Sequence, residues 1–192
     1  MENKMEEISS QRKLEALGQN GTLIRKDGKT FLQLDCENAK ELSMKWGEKL
    51  YPFTKTGKKW ILELPFSTAV NYVQICVDGQ EVLSPELPIA HGYCRPYNYI
   101  ELPDEEGLFE LRDVPHGTLT QEFYKSKISD NWEKLILYLP PCVPSAGLPV
   151  LYLQHGFGES EISWSTTGKV NFLMDNLIAA GKIKPFAIVM GN

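Results

Sequence analysis

The chain has 192 residues, 42% of them hydrophobic, and a formal net charge of −5. That length admits one or two domains, and that apolar fraction is ordinary for a chain that packs a core. The acidic balance, without a Lys/Arg run, argues against nucleic acid as a partner. No stretch approaches the roughly 18 apolar residues that a helix needs to cross a bilayer, and no membrane partner is expected.

Residues 1–20 read as a mobile lead or short helix, with weak periodicity at Leu14 and Leu17. Met1–Gln11 lacks the apolar centre of a secretory leader. The chain therefore reads as cytoplasmic, or as secreted if a leader has been removed.

Residues 21–100 are predicted to be an all-β sandwich. Leu42, Met44 and Trp46 alternate with polar residues, and Trp60, Leu62 and Leu64 do the same over 59–64. Period-2 alternation is the mark of a half-buried strand. Strands are also expected over 30–34 and 72–77, the latter closed by the hairpin signal Asp78-Gly79. Trp46, Trp60 and Tyr97 are candidates for carbohydrate binding. Trp46 and Trp60 read more strongly as core, because they run in phase with apolar neighbours. The widely spaced Cys36, Cys76, Cys94 and Cys142 form no CxxC and read as buried free thiols.

Residues 101–114, acidic and carrying Pro103, read as a linker. Two antiparallel strands follow, over 117–126 and 133–138, around the turn Ser129-Asp130-Asn131. The run Val150–Leu153, stopping at His155-Gly156-Phe157-Gly158, fits a strand buried on both faces and ending in a turn. The polar stretch 159–168 reads as a loop, with Glu159 and Glu161 as solvated charges. Val170, Leu173, Met174, Leu177 and Ile178 then lie on one face of a helix, capped by Thr166 or Thr167 and closed at Gly181. A second buried strand is expected over 186–190. Strand, helix and strand make a βαβ crossover.

The strand into His155-Gly156-Phe157-Gly158, Trp164, the helix carrying Asp175-Asn176-Leu177-Ile178, and Met190-x-Asn192 together resemble the opening of the putative-esterase family. That family comprises enterochelin esterases, S-formylglutathione hydrolases, and feruloyl and acetylxylan esterases. Asp113–Thr118 and Leu137–Pro141 resemble its multidomain feruloyl-esterase-like members, and Val77-Asp78-Gly79, Ser84-Pro85 and Arg95–Asn98 resemble the immunoglobulin-like domain that precedes the esterase domain in them. The resemblance implies an immunoglobulin-like sandwich over 21–100 and the first, incomplete part of an α/β-hydrolase fold over 115–192.

It implies serine ester hydrolysis through an acyl-enzyme, without metal or organic cofactor, on a small ester or an esterified oligosaccharide. Carried over, the oxyanion-hole donor is the Phe157 backbone N–H, with Gly156 next. Trp164 would line the substrate pocket or pack on the helix. The family's nucleophile lies in a later G-x-S-x-G, which this sequence lacks, so nucleophile, acid and histidine are expected beyond residue 192 and the chain alone is expected to be inactive. His155 would orient the loop rather than act as base. Ser160, Ser163 and Ser165 sit in no nucleophile elbow, and the isolated His91 and His116 share no metal-ligand spacing with His155. The alternative reading is a non-catalytic module binding carbohydrate or protein. A sheet ending after one crossover leaves an open edge, which predicts aggregation, self-association or dependence on further residues.

Overall fold

The computed structural model describes residues 6–7, 22–67, 70–143 and 147–192. The expected lead or helix over 1–20 lies outside the described residues, apart from a two-residue strand β1 (Glu6–Glu7) paired with Ile24 and Arg25. The chain divides into two units. One takes residues up to Ala90 together with Pro96–Asp104, the other His91–Arg95 together with Glu105–Asn192.

The first unit is a two-sheet sandwich. Its strands are β2 (Thr22–Lys26), β3 (Lys29–Asp35), β4 (Leu42–Trp46), β5 (Lys49–Pro52), β6 (Thr54–Thr56), β7 (Lys59–Glu63), β8 (Val70–Val77), β9 (Gln80–Val82), β10 (Ile89–Gly92) and β11 (Arg95–Glu101), with the β10–β11 turn and its flanking residues, His91–Arg95, counted in the second unit. One sheet runs β1-β2-β3-β7-β6. The other runs β10-β11-β8-β4-β5, with β9 beside β8. The alternating residues do what their period demands. Leu32 and Leu34 on β3 and Trp60 and Leu62 on β7 meet Leu42 and Met44 on β4 and Val73 and Ile75 on β8 in one core. Trp60 is buried, donates its Nε1–H to the Cys36 carbonyl at 2.8 Å and has the Lys55 Nζ over its ring at 5.1 Å, so its faces are taken within the sandwich rather than open to a sugar. Trp46 packs against that core beside Phe66 and Tyr51.

Asp78 and Gly79 both have positive φ, the type I′ geometry of a two-residue hairpin. Asp78 has a second role. Its Oδ1 accepts the Lys40 and Glu41 N–H groups at 2.8 and 2.9 Å, and those bonds hold its carboxyl below the usual carboxylate range. All four cysteines are free, but only Cys76 is buried, where desolvation pushes its thiol up; Cys94 and Cys142 are exposed. The expectation of buried thiols is thus corrected for Cys94 and Cys142, while Cys36 is half-buried against the sandwich core.

The second unit contains β12 (Thr118–Lys125), β13 (Trp132–Leu139), β14 (Val150–Gln154), a single helical turn α1 (Ser163–Thr166), α2 (Val170–Ala179) and β15 (Ala187–Gly191). Its sheet runs β12-β13-β15-β14. The first two pairings are antiparallel, and β15 with β14 is parallel, as the crossover through α2 requires. Val170 and Met174 of α2 pack on Ile136, Tyr138, Ile188 and Met190. The helix begins differently from the expectation. Thr166 and Thr167 belong to or follow α1, and the residue preceding α2 is Lys169 in left-handed conformation, with no side-chain cap.

Candidate functional site: the loop after β14

Strand β14 ends at Gln154 and the chain turns at once. The Glu159 N–H donates to the Gly156 carbonyl at 3.1 Å, and Gly158 has φ +72° while Phe157 does not have positive φ. This is a type II turn with Phe157 and Gly158 as its central residues, and glycine is needed at the second of them. The Glu159 Oε2 accepts the Gly156 N–H at 3.0 Å. The His155 Nδ1 lies 2.8 Å from the Gly156 carbonyl, which can only accept, so Nδ1 is the donor. The Phe157 N–H has no acceptor among the described residues, and the Phe157 side chain is 82% exposed. The Gly158 N–H likewise has no acceptor among the described residues, so the turn offers two uncommitted backbone donors, Phe157 and Gly158, at the end of a parallel strand.

The far side of the turn is held by two residues that the sequence does not connect with it; there Cys94 reads only as a free thiol. Tyr93 and Cys94, at φ 51° and 62°, form the two-residue turn between β10 and β11. Their N–H groups donate to the Phe157 and Gly158 carbonyls, each at 3.2 Å. A Cβ on Gly158 would overlap the Cys94 nitrogen and lie 2.6 Å from the Tyr93 carbonyl carbon, so the two backbones meet with nothing between them.

Trp164, on α1, is 39% exposed and donates its Nε1–H to the Gln154 carbonyl at 3.0 Å. The indole is thereby tied to the end of β14. Gly168 fits beneath it, where a Cβ would lie 3.0 Å from the indole Cε3. The Ser165 hydroxyl donates to the Ile162 carbonyl, and the Ser163 hydroxyl accepts the Ser160 N–H. Neither meets an imidazole among the described residues. Glu161 is not a solvated charge. It is 1% exposed, and its Oε1 pairs with the Lys134 Nζ at 2.7 Å. No signal within the polar run 159–168 announces that, because the partner stands on β13.

His116 is not isolated either. Asp175, buried on α2, receives the His116 Nδ1 at 2.9 Å, the Tyr138 hydroxyl at 2.6 Å and the Gly117 N–H at 3.0 Å. Burial, then the adjacent Asp175 carboxylate, pushes the Tyr138 phenol far above its ordinary range. Asn176 donates to the Leu108 and Glu110 carbonyls. The buried Asp175-Asn176 pair, polar residues beside the apolar stripe of α2, thus clips the segment 108–117 to the helix. Among the described residues no group of three His, Cys, Asp or Glu could hold a metal ion, and no helix is long and apolar enough to cross a membrane.

No protein-family model matches the chain. It is 31% identical over 187 residues to an endo-1,4-beta-xylanase/feruloyl esterase of Xylanibacter ruminicola, an alignment covering 90% of this chain and 26% of that protein. The chain therefore spans about a quarter of that relative's length. Among solved structures, the enterobactin esterase of Shigella flexneri superposes with a TM-score of 0.62 at 10% identity, over 96% of this chain and 58% of that one. The ferric enterobactin esterase of Salmonella typhimurium gives 0.57 at 8%, over 91% and 56%. The fold is thus that of the corresponding part of these esterases.

Proposed function

We propose that this chain carries the oxyanion-stabilising part of a serine carboxylic-ester hydrolase: an immunoglobulin-like sandwich followed by the first strands of an α/β-hydrolase domain. The observation that carries the reading is the uncommitted Phe157 N–H, set in a type II turn at the end of the parallel strand β14, which lies exposed at the sheet edge rather than buried on both faces as expected. The xylanase/feruloyl esterase relative supports it. Attack on an ester places negative charge on the former carbonyl oxygen. A backbone donor fixed before the reaction stabilises that charge without reorganising, which is worth about 3 kcal/mol for one donor.

Phe157 is the donor in this reading. The Gly156 N–H would have to leave Glu159 before it could serve. The sequence contains no G-x-S-x-G, so the nucleophile that forms the acyl-enzyme is supplied from outside residues 1–192. The expected substrates are feruloyl or acetyl esters of plant polysaccharide, with Trp164 and the Phe157 ring at the entrance to their site.

The test compares the 192-residue chain with the polypeptide translated from its complete reading frame. Both are incubated with methyl ferulate and with a fluorophosphonate that labels activated serines. The expected result is turnover and labelling in the second and neither in the first. Absence of both from the complete product would overturn the reading and leave a binding module.

A further inference from the structure

We infer that the turn between β10 and β11 is a positioning device for the loop after β14, with the Tyr93 and Cys94 backbone N–H groups holding Phe157 in the orientation that presents its own N–H outward. The functional part of this inference rests on the esterase reading above; the structural part does not.

The orientation of an N–H is the orientation of its peptide plane. The plane before Phe157 is held through the Gly156 carbonyl, which accepts from the Glu159 N–H and the His155 Nδ1. The two planes after Phe157 are held through their carbonyls, by Tyr93 and by Cys94. A type II turn becomes type I when its central peptide flips, and that flip swings the carbonyl of the first central residue to the other side. Here that carbonyl is the one Tyr93 holds. Pinned on both sides, the Phe157 Cα has little freedom left. A preset donor is what oxyanion stabilisation requires.

The sequence of the holding turn fits this use poorly by local rules and well by contact. Two-residue type I′ turns favour Asn-Gly, because both central residues take positive φ. Tyr93 and Cys94 accept that conformation without being glycine, and a single bond from each reaches the loop. The loop answers with Gly158, whose missing side chain is what allows the two backbones to meet. Both contacts are made by backbone, so the thiol and the phenol are dispensable to the holding while the turn geometry is not.

The test uses two replacements that both remove the thiol. Cys94→Gly relaxes at φ 62°, whereas Cys94→Val places a β-branched residue where its backbone is a genuine outlier. Amide hydrogen exchange is followed by NMR. In the unaltered chain the Tyr93 and Cys94 amides are expected to be protected. Cys94→Val should speed their exchange about tenfold and shift the Phe157 amide resonance, and Cys94→Gly should do neither. Unchanged Ile75 and Ile188 amides report that both cores remain folded. If Cys94→Val loses that protection, Gly158→Ala poses the same question from the loop side.

In the product of the complete reading frame, Cys94→Val should lower kcat for a feruloyl ester about tenfold or more with KM within about twofold, and Cys94→Gly should restore it. Unprotected Tyr93 and Cys94 amides in the unaltered chain would overturn the inference. So would equal effects of the Gly and Val replacements, or an unmoved Phe157 resonance in Cys94→Val. If the complete product hydrolyses no ester, the esterase reading fails alone, and the exchange data still decide whether the turn holds the loop.

Discussion

Asp175 shows how one buried side chain fixes the frame on which the loop stands. It is 2% exposed and receives three donors, from β13 and from the segment ahead of β12. Asp175→Ala strands the Tyr138 hydroxyl and the Gly117 N–H, and is expected to cost roughly 3 kcal/mol in urea unfolding. Tyr138 gives a pH signature. Its phenol keeps its proton in the folded chain well above the point where the unfolded chain releases it. Stability from this group is complete below about pH 10, and above it falls by about 1.4 kcal/mol per pH unit. Tyr138→Phe should therefore be less stable near neutrality and show a shallower alkaline decline. A decline as steep as in the unaltered chain would contradict the assignment. At this scale the sequence exposed Asp175-Asn176 only through resemblance to a family. It misjudged His116 and Glu161, because each is defined by a partner far along the chain, Asp175 and Lys134. Local polarity says nothing about such partners.

Most of the elements that the sequence revealed have a buried face, although β12 is exposed throughout and β14, expected to be buried on both faces, is largely exposed. Strands β3, β4, β7 and β8 alternate because one side of each enters the sandwich core, and α2 is periodic because Val170, Met174 and Ile178 meet the second sheet. Strands β6 and β9 are exposed along their whole length, so no pattern marks them. The β10–β11 turn was invisible for another reason: Tyr-Cys carries no turn signal although both residues have positive φ. Strand β14 lies at the edge of its sheet with no charged residue in Val150–Gln154, and Tyr152 is 76% exposed. Tyr152 and Val189 are paired across the sheet, in opposite phase to Ile188 and Met190, and with Tyr124 and Leu135 they line an open depression of about 330 Å³. An uncharged edge beside an uncovered apolar face favours association. Sedimentation velocity of the 192-residue chain is expected to show self-association that Tyr152→Lys reduces. A monomer at all concentrations would refute this.

At the scale of the whole chain, two cores form separately, one from the sandwich strands and one from β13, β15 and α2. Both the alignment to the xylanase/feruloyl esterase and the superposition on enterobactin esterase run through both units. The change from alternating to continuous apolar runs near residue 150 is what made the change of architecture readable. The sequence pointed to the loop but not to what holds it, since its supports come from Glu159, His155 and the distant Tyr93-Cys94 turn. The claim that this loop supplies an oxyanion donor is tested most directly by removing one N–H. Phe157→Pro does so at the first central position of a type II turn, where proline is favoured, and Phe157→Ala, which keeps the N–H, is the reference that accounts for the lost ring. In the product of the complete reading frame, kcat for methyl ferulate is expected to fall about 100- to 1,000-fold with the melting temperature unchanged. Retention of kcat within a factor of about two, with the protein equally stable, would contradict the account.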